Sequence, residues 1–306
     1  MPGVTSLAET IVDAFRQKTG LESVRTAWIG GSATWGARCP EDVDPSVPVV
    51  PLGGFTTPFG ESYPLKLIFV EGEPVLRARM HGWHRDNPAL DYSHTLQLFY
   101  IFRELGVQQI LADASVGGIT AKPWDIVVPD DFVTVDQFTR YEARRFAAAV
   151  GLRRQVRLAQ PFCPRLREVV IAAVRQSGDI LPAHVQLHTR GVYFNTPLGP
   201  FETAAEIRSF QAQGADVVGM TLAMEAMLAR LNRMCLVSLD IVANWAEGLE
   251  GGEWIEGGMD QFYERCAVPL GIVGLRALTA AVRQARACHC ADIAGVVDGV
   301  AKFPVE

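Results

Sequence analysis

What most constrains this chain is an alternation. Short apolar runs ending in Gly, Ser or Asp are followed repeatedly by longer stretches with helical periodicity. Thr26–Ile29 opens into Gly30-Gly31-Ser32, and Val107–Ala112 opens into the small-residue loop Ala114–Gly118. Ile126–Val128, Phe132–Val135, Gly191–Asn195, Asp216–Gly219 and Cys235–Val242 read as further strands. Helices are predicted at residues 5–19, Asp91–Leu105, Arg165–Gln176, Thr203–Gln213, Ala223–Leu231 and Leu275–Ala287. Leu65–Val70 and Val75–Met80 form a hairpin around Glu71-Gly72-Glu73-Pro74, and residues 37–60, rich in Pro, Gly and Asp, read as loop. Such alternation implies an α/β fold with a largely parallel sheet and helices on both faces. With 306 residues, no internal repeat and no linker, the chain reads as a 26–306 domain preceded by a helical extension over residues 1–25.

Composition narrows the function classes. Apolar residues make up 49% and charged residues 20%, which suits a packed core rather than disorder. The net charge is -6 and no Lys/Arg run exceeds two residues, so a nucleic-acid face is not expected. No membrane-length apolar stretch or signal pattern stands out, so the expectation is a cytoplasmic protein without a membrane partner. The six cysteines are scattered. Cys288-His289-Cys290 invites a metal reading, but zinc ligands are usually spaced further apart. On a helix, positions i and i+2 diverge. The expectation is buried thiols on a C-terminal helix and no metal.

In α/β folds the ligand sits at the carboxyl ends of the strands. That selects Gly30–Ser32, Met80–His81, Asp113–Gly118, Met220–Thr221 and Asp240–Asn244. The Gly30–Gly36 loop lacks the spacing and following helix of a dinucleotide fingerprint, and no flavin, nicotinamide or metal motif is visible.

Five ordered stretches then carry a likeness: Ile29-Gly30-Gly31-Ser32; Thr57-Pro58-Phe59-Gly60; Ala159–Pro164 with Arg167-Glu168-Val169; Gly199–Thr203 with Ala205-Glu206; and Gly214–Thr221 with Glu225. Together they resemble the trimeric purine nucleoside phosphorylase / methylthioadenosine phosphorylase family across roughly residues 28–250. The resemblance implies a single-domain nucleoside-phosphorylase-like fold with a mixed central sheet flanked by helices. It implies phosphorolytic cleavage of the N-glycosidic bond of a purine nucleoside or 5′-methylthio relative. Phosphate would be co-substrate, no cofactor would be needed, and the assembly would be a homotrimer or a dimer of trimers.

The resemblance also implies site residues. Ser32 and Thr221 match phosphate hydroxyls, and His81 matches the histidine of the phosphate site. Met220 matches the residue beneath the ribose. Phe201 and Glu202 match residues facing the purine, although Glu202 also suits a first-turn helix glutamate. Val116 and Gly117, in the Asp113–Gly118 loop selected above, are assigned to substrate binding. Asn244 matches a base-reading position whose amide suits a 6-oxopurine. Ala246 falls where adenine-specific members carry a second carboxylate.

The pattern also departs from the family. Met80 and Trp83 occupy its arginine positions, leaving Arg79 or Arg85 to supply a guanidinium for phosphate. Asp113 stands beside the phosphate subsite and Asp240 at a strand end. Asp113 therefore reads either as a catalytic acid/base or as a structural partner of an arginine. Two functions follow. One is phosphorolysis with a relocated arginine. The alternative is a phosphate-independent hydrolase, lyase or cyclase using Asp113. Met80 and Trp83 would then suit a greasier ligand or a carbocation, while Trp83 and Trp35 also read as core or interface aromatics.

Overall fold

A computed structural model describes residues 4–80, 91–152, 156–249 and 258–293. The first half comprises α1 (Val4–Thr19), β1 (Thr26–Gly30), a 3-10 turn (Ser32–Thr34), β2 (Val49–Gly53), β3 (Thr56–Thr57), β4 (Gly60–Glu61), β5 (Leu65–Val70), β6 (Glu73–Arg79), α2 (Ser93–Glu104) and β7 (Gln109–Gly118). Next come β8 (Ile126–Val127), β9 (Asp131–Thr134), α3 (Gln137–Ala149), α4 (Pro164–Arg175), β10 (Leu187–His188) and β11 (Val192–Asn195). The chain continues through α5 (Ala204–Ala212), β12 (Val217–Gly219), α6 (Leu222–Leu231), β13 (Cys235–Trp245), α7 (Gly258–Val282) and α8 (Cys290–Ile293).

Eleven strands form one mixed sheet with the central order β10-β8-β13-β7-β1-β6-β5-β2, and β9, β11 and β12 branch from it. β7 lies between β13 and β1 and runs parallel to both. The β5–β6 hairpin and the β7–β12 pair are antiparallel. The middle strands bury both faces, so successive side chains enter different cores. Ala27 and Ile29 of β1 join Phe99, Phe102 and Met224 from α2 and α6, whereas Trp28 joins Leu166, Phe262 and Val273 from α4 and α7. α1 is the segment read as an extension, and its Ile11 and Phe15 sit in the first of these cores.

Several elements differ from the sequence expectation, each for a tertiary reason. Ala114–Gly118 is not loop but the end of β7, because β13 runs beside it to the pairs Asn244↔Gly117 and Trp245↔Gly118 and supplies the backbone partners. β13 likewise extends past Val242 to Trp245. Within residues 37–60, β2 forms by pairing with β5. α3 was not expected; Asp136 caps it, accepting from the amides of Phe138 at 2.7 Å and Thr139 at 2.9 Å. The last long helix spans Gly258–Val282 rather than Leu275–Ala287. Pro269, Gly271 and Gly274 mask its periodicity in the sequence. Among the described residues it is also long and apolar enough to cross a membrane by length and composition. Half of that stretch is buried inside the protein, where α7 packs on α4 and the 3-10 turn.

The glycines of α7 exist for contact. A Cβ at Gly274 would lie 2.6 Å from the Trp28 ring, itself fully buried. Helix propensity alone predicts that Gly274→Ala stabilises by about 1 kcal/mol. The packing predicts the opposite sign: a loss of about 1–3 kcal/mol in urea unfolding. A gain would contradict this account of how α7 docks.

Candidate active site

The register of three strands sets the site. Gly30 pairs with Asp113, and Leu239 of β13 also pairs with Asp113, so β1 ends beside the middle of β7 and β13, which run on together to Gly118 and Trp245. The turn after β1 is held from below. The Asp113 carboxylate is 1% exposed and accepts from the Gly31 amide at 3.0 Å, the Trp28 indole at 2.8 Å and the Thr34 hydroxyl at 3.0 Å. Arg77 joins the cluster, stacking on the Trp28 ring at 4.1 Å and donating to the Thr34 hydroxyl at 3.2 Å. Gly30 is required there, since a Cβ would lie 1.7 Å from Nη1 of Arg77.

This corrects the catalytic assignment of Asp113. Its oxygens are engaged inside the protein and it does not line the cleft above. Asp240 is also corrected. It is fully buried, accepts from the Ser238 hydroxyl, and is likewise absent from the cleft walls. Both carboxylates belong to the scaffold beneath the strand ends.

The cleft above is open at its mouth and holds a cavity of about 160 Å³. Its lining brings together Ser32, Val116, Gly117, Phe201, Glu202, Met220, Thr221 and Asn244, all expected from the sequence. His81, Arg85 and Trp83 lie outside the described residues. Met80 is buried, and it packs in a hollow with His94 and Gln97 rather than in the cleft, so it does not make the cleft greasier.

One end of the cleft is rich in donors. The Ser115 amide donates to the Ser32 hydroxyl at 3.1 Å, and Ser32, Ser115 and Tyr263 form a hydroxyl chain with steps of 2.6 and 3.1 Å. Burial pushes the Tyr263 phenol above its ordinary range, which keeps it a neutral hydroxyl. Trp35 lines the same region, and its indole Nε1 is buried with no partner among the described residues. Thr221, in the same lining, is the N-cap of α6 and uses its side chain in no capping bond. The positive end of the α6 dipole therefore faces the cleft. Buried groups fix this corner: Thr221 donates its amide to the Tyr193 hydroxyl at 3.3 Å, and Tyr92 donates to the Met220 carbonyl at 3.0 Å. Gly219 permits the approach, because a Cβ there would lie 2.2 Å from the Tyr193 oxygen.

The rest of the lining is mixed in polarity. The β13–β7 register shifts between Val242 and Asn244, and this bulge carries Ala243 and Asn244 into the cleft. The Asn244 amide donates to the Trp245 carbonyl at 2.7 Å, and its oxygen and second hydrogen have no partner among the described residues. Phe201 is 54% exposed at the cleft edge. Glu202 is not the first-turn glutamate of α5. Glu206 fills that role in a capping box with Thr203, while Glu202 accepts from the Thr196 hydroxyl at 2.6 Å. Tyr263 was missed in the sequence because it sits on the early turns of α7, which were not read as helix. None of the described lining side chains is cationic. Arg79 lies next to a wall, donating to the Trp35 carbonyl at 3.2 Å.

Comparisons with known proteins agree with this architecture. Residues 80–279 match the family model described as the phosphorylase superfamily. The chain is 32% identical over 247 residues to a 6-oxopurine nucleoside phosphorylase of Pyrococcus furiosus, covering 77% of this chain and 88% of that protein. It is 31% identical over 274 residues to an S-methyl-5′-thioadenosine phosphorylase of Pyrococcus abyssi, covering 87% and 95%. A crystal structure of a methylthioadenosine phosphorylase from an Antarctic soil metagenomic library superposes with a TM-score of 0.72 at 22% identity, covering 91% of this chain and 94% of that one. At that identity the superposition speaks to the fold.

The inward role of Asp113 has a measurable consequence. In Asp113→Asn an amide hydrogen faces donors, and the buried Arg77 loses a nearby negative charge. The variant is expected to lose about 3–5 kcal/mol of unfolding free energy. A melting temperature equal to that of the unaltered protein would contradict the inward assignment.

Proposed function

Because this chain belongs to the phosphorylase superfamily, we propose that it is a nucleoside phosphorylase. It cleaves the N-glycosidic bond of a purine nucleoside or a 5′-methylthio relative and transfers the pentosyl group to phosphate. The observation that carries the reading is the polarity of the cleft. Hydroxyls of Ser32, Ser115, Thr221 and Tyr263 and the N-terminus of α6 line it together with an aromatic, an amide and a carboxylate.

The chemistry follows from where charge develops. As the glycosidic bond stretches, the sugar becomes cationic and the purine anionic. An oxyanion held under the sugar stabilises the first charge and then bonds to C1′. We assign its binding to Ser32, Thr221 and the α6 N-terminus, with the neutral Tyr263 fixing Ser115 and, through it, Ser32. The cationic partner is assigned to His81 and Arg85, with Arg79 next to the wall. Met220 supports the ribose, and Val116 and Gly117 offer a smooth wall to the base. Asn244 donates to and accepts from the purine edge, and so serves the leaving base, while Glu202 and Phe201 orient it. With Ala246 rather than a carboxylate beside Asn244, the site suits a 6-oxopurine better than adenine.

The phosphate-independent alternative rested on Asp113 as acid/base, and a carboxylate enclosed beneath the turn reaches no substrate. A homotrimer or dimer of trimers, a cytoplasmic location and independence from any cofactor complete the proposal.

Incubation with inosine, guanosine, methylthioadenosine and methylthioinosine, with and without phosphate, tests it. Free base is expected only with phosphate, and faster from the 6-oxopurines. Release of base without phosphate, or none under any condition, would contradict the proposal. Asn244→Asp is expected to lower kcat/KM for inosine by about tenfold or more, because an acceptor replaces a donor at the purine edge.

A further inference from the structure

Far from the cleft, four cysteines converge. The sulfurs of Cys163, Cys235, Cys288 and Cys290 all lie within 4.8 Å of one another. They come from three separate parts of the chain. Cys163 caps the N-terminus of α4 and is tied by its amide to the Leu236 carbonyl at 2.8 Å. Cys235 is the first residue of β13. Cys288 stands on the bend between α7 and α8 and Cys290 is the first residue of α8, so the two do not share one helix as the sequence suggested. The bend lets residues two apart aim at one point, which a continuous helix forbids.

The dimensions suit a metal. Four thiolates at about 2.3 Å from a tetrahedral ion stand about 3.8 Å apart. The Cys235–Cys288 separation is 3.3 Å, and all six cysteines, these four included, are free thiols. Cys163, Cys235 and Cys290 are buried, and half-buried Cys288 borders a surface hollow that provides an entry path. His289 points elsewhere: its ring is exposed and sits 3.3 Å from the Asp292 carboxylate.

The surroundings suit the charge of a thiolate cluster. Arg230 is 1% exposed and donates to the Cys290 carbonyl at 3.0 Å. Arg286 donates to the Arg233 carbonyl, and its side chain packs against Cys235 and Cys288. Both arginines keep a buried Nε with no partner among the described residues. Four thiolates around a dication leave two negative charges, which these two guanidinium groups offset.

We propose that Cys163, Cys235, Cys288 and Cys290 form a tetrathiolate site for a soft divalent metal ion of the zinc type. The site is structural. Cys235 and Asn244 are at opposite ends of β13, roughly 30 Å apart at the rise of a strand. The ion fastens the segment after α7 to the amino-terminal end of β13, remote from the cleft.

The full chain, purified anaerobically with reductant and without chelator, is analysed for metal and then titrated with Zn2+ and Co2+. About one equivalent of zinc per chain is expected. The cobalt form is expected to show the visible bands of a tetrahedral site and near-ultraviolet sulfur-to-metal charge transfer. Cys288→Ser and Cys290→Ser are expected to lose the bound metal, whereas His289→Ala keeps it. If the cysteine variants fail to fold, the cobalt spectrum of the unaltered chain decides. Failure of the fully reduced chain to take up either ion would overturn the proposal. So would metal retained in both cysteine variants, or a cobalt spectrum lacking sulfur charge transfer. None of these readouts depends on catalysis, so the site stands or falls separately from phosphorolysis.

Discussion

The structure depends on one buried carboxylate. Asp113 collects the Gly31 amide, the Trp28 indole and the Thr34 hydroxyl at a point where water does not reach. Each donor belongs to β1 or the turn after it, so the carboxylate fastens one strand end to its neighbour. Arg77 completes the arrangement from β6 by stacking on Trp28 and bonding Thr34. The turn that carries Ser32 is therefore part of the rigid sheet rather than a free loop. A buried acceptor with matched donors fixes geometry well, because any displacement strands a polar group. The chain spends this carboxylate on position, and the hydroxyls above it are left for the ligand.

The α6 corner of the cleft is organised by the same kind of logic. Tyr193 and Tyr92 are buried phenols whose hydroxyls meet the backbone at Thr221 and Met220. Burial pushes the Tyr193 phenol well above its ordinary range, so it stays neutral and accepts the Thr221 amide without adding charge. The donor end of the cleft is thus assembled from neutral hydroxyls, amides and a helix dipole. Such groups suit an anion that must arrive and leave, since they bind it without a full ion pair at every contact.

Much of this was legible in the sequence. The alternation of apolar runs and amphipathic stretches located most strands and helices, and the motif around Gly214–Thr221 located the α6 corner. Ser32, Phe201, Thr221 and Asn244 do meet in one cleft although they are far apart in the chain. What was not legible was direction. A carboxylate at the end of a buried strand reads the same whether it faces a ligand or a turn, and Asp113 and Asp240 both face inward. Partnership was equally hidden. Ala114–Gly118 looks like loop until β13 is laid beside it, and α7 looks short until Trp28 explains Gly274. The cysteines show the same limit, because the bend that brings Cys288 beside Cys290 has no signature in their spacing.

The account's central claim is that the clamped turn and the α6 N-terminus face each other across an oxyanion. A crystal structure at saturating phosphate with an unreactive inosine analogue tests it most directly. The account predicts tetrahedral density within roughly 3 Å of the Ser32 hydroxyl and the Thr221 hydroxyl, with the purine edge on Asn244. Nucleoside bound in the cleft with no oxyanion between Ser32 and Thr221, or phosphate seated elsewhere on the protein, would contradict it.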